Sequence, residues 1–187
     1  SEAYRTAILS ALSNKTDGEK YDLLVARKSI VPASQEYLYW PMVLKVASPS
    51  QILAICEANA DNGELVGSAI SAYLKTVYEG TFADAQKLLW YRAIMDYAQT
   101  DAQKVAILQK VGTTSAFQGI FFAAEYLDDP ATQQAAAIAL RRIVISNPSY
   151  YGPEITALMQ RIRTISTGRD FIYDQQLIDT YLEKAHD

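Results

Sequence analysis

Apolar residues return every three to four positions along most of this chain, and short polar turns interrupt them, which predicts a succession of short helices. The pattern is densest between Thr100 and Ile145. There it predicts one helix from Asp101 to about Gly112, a second from after Ser115 to the turn Asp128-Asp129-Pro130, and a third from Ala131 to about Ile145. The last two are too apolar to stand alone. They need neighbours stacked on them, which is the mark of a helical repeat.

The same reading extends to both ends. Glu2 to Ser13 predicts a first helix with Ala3, Ala7, Ile8, Ala11 and Leu12 on one face. Asp17 is suited to cap a second helix carrying Tyr21, Leu24 and Val25. Ser34 is suited to cap a third, Gln35 to Ala47, in which Pro41 predicts a kink or a late start. Ser48-Pro49 opens a fourth helix with Ile52, Ile55 and Ala58 inward, and Asp61-Asn62-Gly63 separates it from a fifth that closes at Gly80. A sixth is expected from Phe82 to Gln99 and a tenth from about Glu154 to Ser166, stopped by Thr167-Gly168. Asp170 is expected to cap the last helix, whose acidic residues would form a solvated outer face on the terminal cap of a solenoid. The count is about eleven helices.

Landmarks recur in order. Thr16-Asp17-x-x-Lys20-x-x-Leu23-Leu24 returns as Thr100-Asp101-x-x-Lys104-x-x-Ile107-Leu108, Ser34 as Ser115, Pro49 as Pro130, and Tyr4-Arg5 as Tyr91-Arg92, each about 81–87 residues later. The expected organisation is a single domain of two related halves, about 1–80 and 81–169, with a capping helix at 170–187. A spacing near 84 residues is two units of about 40, not of about 34.

Residues Asp129 to Ile143 resemble the second helix of a HEAT repeat: a turn ending in Asp-Pro, then small and aliphatic residues at Ala136, Ala139, Leu140 and Ile143. The usual arginine near the start of that helix is replaced by Gln133. The wider pattern is similar to HEAT-like segments of large secreted bacterial proteins, some of which also carry a concanavalin-like sugar-hydrolase domain of the DUF1080 type. The resemblance implies an all-α fold, a right-handed α-α superhelix of the HEAT/ARM-like solenoid kind. It implies a periplasmic or extracellular location, with a cytoplasmic one as the alternative. No catalytic residue follows from it.

Composition narrows the chemistry. The formal charge of −4 gives no global pull toward nucleic acid. One cysteine, Cys56, excludes an internal disulfide framework, and one histidine, His186, argues against a histidine-based triad or zinc site. Cys56 shares an apolar helical face with Ile52 and Ile55 and reads as a buried thiol. No apolar run is long enough to cross a membrane. The chain begins at Ser1 without Met and reads as a fragment of a longer protein. No cofactor or metal is expected.

The candidate binding surface is aromatic and basic. Tyr37, Tyr39 and Trp40 crowd one helix, and three amphipathic rings in four residues cannot all face inward. Tyr150 and Tyr151 form an aromatic loop before Gly152-Pro153, suited either to recognition or to wedging the next helix. Arg141 and Arg142 belong to a segment, 130–169, with five arginines and one acid, followed by a segment, 170–187, with five acids and one lysine that would neutralise it. Asp128-Asp129 reads as a helix-start pair accepting backbone N–H groups.

The expected function is therefore non-catalytic: a scaffold or interaction module of a larger protein linked to carbohydrate processing. Its partner would be a protein or a neighbouring domain of the same chain, with a glycan as a further possibility through the tyrosines. Two alternatives stand beside it: a DNA-binding HEAT-like protein of the alkylpurine glycosylase type, and a TPR-like peptide-binding adaptor.

Overall fold

The computed structural model describes residues 14–184. The helix expected at 2–13 and His186 lie outside them. Among the described residues there are ten α-helices and no strand: α1 Asp17–Val25, α2 Glu36–Val46, α3 Pro49–Ala58, α4 Gly63–Glu79, α5 Asp84–Met95, α6 Asp101–Val111, α7 Gln118–Ala124, α8 Gln133–Ile145, α9 Pro153–Ile165 and α10 Ile172–Lys184. Single 3₁₀ turns stand at Lys28–Ile30, Ala33–Gln35 and Arg169–Phe171. The fold is all-α.

Three helices start on reciprocal capping boxes. Thr16 accepts the Glu19 N–H at 3.3 Å while Glu19 accepts the Thr16 N–H at 2.8 Å. Ser48 and Gln51 do the same for α3, with Pro49 at its first position, and Thr100 and Gln103 for α6. Thr16, not Asp17, is thus the cap of α1, and Asp17 lies in its first turn beside the positive end of the helix dipole. The Thr-Asp landmark is built alike at its two positions, down to the ion pairs Lys20–Asp17 at 3.2 Å and Lys104–Asp101 at 3.6 Å.

Other expected caps are not caps. Ser34 sits inside a 3₁₀ turn, and α2 starts after Gln35 with no side-chain bond. Ser115 does not cap α7. It donates its N–H to Asp84 at 2.7 Å and its hydroxyl to the same carboxylate. Asp170 lies in the 3₁₀ turn before α10. Pro130 is not at a helix start as Pro49 is, because the turn continues to Thr132 before α8 begins. Helices α5 and α7 are also shorter than the pattern suggested, and Ala58 is exposed rather than inward. Pro41 marks no late start: α2 runs through it from Glu36.

The chain divides into two compact units, residues 1–76 and 77–187. In the first, α1 packs on α2, and Tyr39, Val43, Leu44, Ile52, Ile55, Cys56, Ile70 and Tyr73 are buried. In the second, α6 packs on α5, α8 on α6 and α7, and α10 on α8 and α9. Its centre is α8. Ala136, Ala139, Leu140 and Ile143, the positions that carry the HEAT resemblance, are all fully buried. The alanines let neighbouring helices approach closely. Each buried aliphatic contributes on the order of 1.5–3 kcal/mol.

Candidate functional site

The first unit carries the aromatic cluster. Tyr39 does not belong to any binding surface: it is buried, and its hydroxyl donates to the Leu24 carbonyl at 3.2 Å, tying α2 to α1. Trp40 is half-buried against it, edge to face at 5.1 Å. Lys28 stands 5.7 Å from both ring centres and pairs with Glu36, whose other oxygen accepts from Trp40 Nε1 at 3.4 Å. The Lys28 hydrogen bond, helped by Trp40, holds the Glu36 carboxyl below its ordinary value.

Tyr37 points the other way and is 71% exposed. It shares its side of α2 with Leu38, 55% exposed, with Pro41, and with Met42, 50% exposed. Leu38 and Met42 had no signal of their own in the sequence, because α2 is apolar all round. Pro41 has no N–H, so the Tyr37 carbonyl lacks its helical donor on this same open side. Beside it runs a groove of about 190 Å³ between α2 and α4, lined by Tyr37, Trp40, Glu36, Asn62, Glu64 and Ser68.

In the second unit the loop tyrosines part company. Tyr150 is a wedge: its hydroxyl donates to the Ser115 carbonyl at 2.6 Å, and its ring meets Phe117 edge to face at 5.0 Å. Tyr151, next to it, is 75% exposed and lines an apolar groove against α10.

The arginines are largely spent on acids. Arg141 is mostly buried and pairs with Asp174 at 2.9 Å, so it is not a free surface contact. Burial lowers its pKa, and Asp174 opposes that fall. Arg163 pairs with Asp179, and Arg161 with Asp128. The acids of α10 are therefore turned partly inward as counter-charges and do not form a purely solvated face. Arg142 is exposed. Of the two turn aspartates, Asp129 accepts the Ala131 N–H at 2.9 Å, whereas Asp128 serves Arg161.

Two buried groups are held in their protonated forms. Cys56 is buried, and burial pushes its thiol up to about 11, which keeps it protonated and inert at neutral pH. The Tyr91 hydroxyl is buried without a hydrogen-bond partner and is pushed up to about 12 by the same cause. Among the described residues no three His, Cys, Asp or Glu side chains gather as a metal site would require, and no helix is long and apolar enough to cross a membrane. Tyr37, Trp40, Tyr151 and Arg142 remain available from the sequence-derived set, in two separate units, and Leu38 and Met42 join Tyr37. Comparison of the chain with family models, curated proteins and solved structures finds no match.

Proposed function

We propose that this chain is a non-catalytic helical-repeat module that binds a protein partner, or a neighbouring domain of its own chain, through the open side of α2. One observation carries the reading: Tyr37, Leu38, Pro41 and Met42 stand together in solvent on a helix whose opposite side is core. A contiguous apolar patch of this kind marks an interaction site. Tyrosine and methionine are residue types enriched in interface cores, and Met adapts its shape to a partner. The Tyr37 carbonyl, deprived of its i+4 donor by Pro41, adds a directional acceptor.

The HEAT-like solenoid reading belongs to the same proposal. In residues 77–187 helices pack on their neighbours and next-but-one neighbours, as in α6 on α8 and α8 on α10, and this local rule is what repeat proteins use. The setting, an accessory domain of a larger secreted or periplasmic bacterial protein, rests on the resemblance of residues 129–143 to a HEAT repeat. Nucleic-acid binding of the glycosylase type is disfavoured, because Arg141, Arg161 and Arg163 already hold acids.

The test is site-specific photo-crosslinking in the protein's own source. A photoreactive residue at Tyr37 should trap one discrete partner that the same group at Lys75 does not, and Met42→Asp should abolish that product. Equal labelling from both positions would remove the proposal.

A second reading, a glycan, is favoured by the groove at Trp40. An aromatic ring there stands with carboxylates, an amide and a hydroxyl, the donors and acceptors a sugar needs. Quenching of tryptophan fluorescence by oligosaccharides, absent in Trp40→Phe, would favour it. Saturating sugar without any change would exclude it for the sugars used.

A further inference from the structure

We propose that the groove between the end of α8, the loop 146–152 and α10 is a pocket for a small amphipathic carboxylate, an apolar chain or ring carrying one acid group. This goes beyond the partner surface on α2 and depends on none of its residues.

The cavity holds about 580 Å³, within the usual range of roughly 300–1,000 Å³ for small-molecule sites. Its walls are apolar: Val144 and Ile145 from α8, Pro148 and Tyr151 from the loop, and Leu177 from α10. Lys184 is the one charged residue among the described residues that line it. The lysine is exposed and holds no ion pair with any described residue. Of the three acids on the same helix, Asp174 is engaged by Arg141 and Asp179 by Arg163, and the exposed Glu183 is not part of the groove's lining. Two lining hydroxyls are also committed, since Thr180 donates to the Gln176 carbonyl at 2.8 Å and Tyr181 to the Tyr150 carbonyl at 3.3 Å. An apolar body would enter the groove, and an acid group would meet Lys184 at the rim. A neutral polar head would find fewer donors, and a cation would be repelled.

The walls are also fixed before any ligand arrives. Asn147 donates to the Ile143 carbonyl at 2.7 Å, the Tyr150 N–H to the Asn147 carbonyl at 2.8 Å, and the Tyr150 hydroxyl to Ser115. Gly152, at φ 144°, turns the chain into α9 with a backbone that L side chains avoid. Helix α10 is held by its two arginine pairs and by Tyr181. A groove with rigid walls binds without first paying to order them.

The experiment is a two-dimensional amide NMR titration with decanoate below its micelle concentration, alongside decyltrimethylammonium and acetate. Decanoate should move the amides of Val144, Ile145, Leu177 and Lys184 saturably, and acetate should not. Decyltrimethylammonium should bind several-fold more weakly. Lys184→Gln should weaken decanoate about two- to five-fold, as expected of an exposed ion pair, with an unchanged melting temperature, and Lys184→Glu should reverse the charge preference. Equal affinity for the two decyl compounds would overturn the proposal, as would saturable shifts elsewhere only, or none. Shifts of these amides on dilution without ligand would put a second copy of the chain in the groove and overturn it too.

Discussion

A β-carbon on Gly112 would stand 2.7 Å from the α-carbon of Ala139, so the end of α6 and the middle of α8 meet backbone to backbone. Gly112 has an ordinary helical conformation, φ −65°, and its lack of a side chain is required for space alone. Gly112→Ala should therefore cost about 1–3 kcal/mol by overpacking, and Gly112→Val more. Gly18, in the first turn of α1, has nothing within 4 Å of its virtual β-carbon. Gly18→Ala should be neutral or stabilising by up to about 1 kcal/mol. Thermal melts should show a clear loss for Gly112→Ala and no loss for Gly18→Ala.

Asp84 holds the loop ahead of α7 through two bonds from Ser115, and those bonds lower its pKa. A carboxylate depressed in the folded state stabilises above its unfolded value, about 3.9, and that stability is lost as pH falls through the folded value. Asp84→Asn should cost about 1 kcal/mol at neutral pH. It should also flatten the decline in stability below about pH 4. Urea midpoints measured across that range check both, and an unchanged acid limb would contradict the assignment.

Arg141 and Asp174 are nearly withdrawn from solvent, with 11% and 16% of their side chains accessible. Removing one partner leaves the other charge poorly solvated. Asp174→Ala should cost roughly 1–3 kcal/mol, below the 3–5 of a fully buried pair. Arg142→Ala, next in sequence but exposed, should fall within about 0.5 kcal/mol of the parent. Paired denaturant titrations would show the contrast.

Cys56 should resist thiol reagents in native buffer and react at the rate at which its unit opens. Its thiol, ordinarily near 9, is pushed up to about 11 by burial. An acid with a raised folded pKa gives full stability below the unfolded value and loses it as pH climbs toward the folded one. Stability should therefore decline between about pH 9 and 11, and less so in Cys56→Ala. Rapid labelling at neutral pH without denaturant would contradict a buried thiol.

Local chemistry was readable from the chain. Ser48 and Thr100 announce their helices within four residues, whereas the cap of α1 is Thr16 and not its neighbour Asp17, because both side chains can accept a backbone N–H. Ala136, Ala139, Leu140 and Ile143 announce a buried face because their spacing is helical and their neighbours Arg141 and Arg142 are not apolar. What failed was tertiary or directional. Ser34 and Ser115 look alike, yet one lies in a 3₁₀ turn and the other answers a carboxylate thirty-one residues away. Tyr37 and Tyr39 cannot be told apart by periodicity on a helix apolar on every side, so the pattern alone groups the buried ring with the exposed one. The five acids that follow residue 169 mark the arginines as neutralised, but composition does not name Asp174 as the partner of Arg141.

The central claim is that the open side of α2 is a recognition surface, and it is measured most directly by affinity. The partner trapped at Tyr37 would be titrated against the parent chain and against Leu38→Asp and Met42→Asp, with melting temperatures recorded for each. The account predicts a loss of at least about ten-fold in affinity for either variant, the scale of an interface residue worth more than 1 kcal/mol, with melting unchanged. Full affinity in both variants would contradict it.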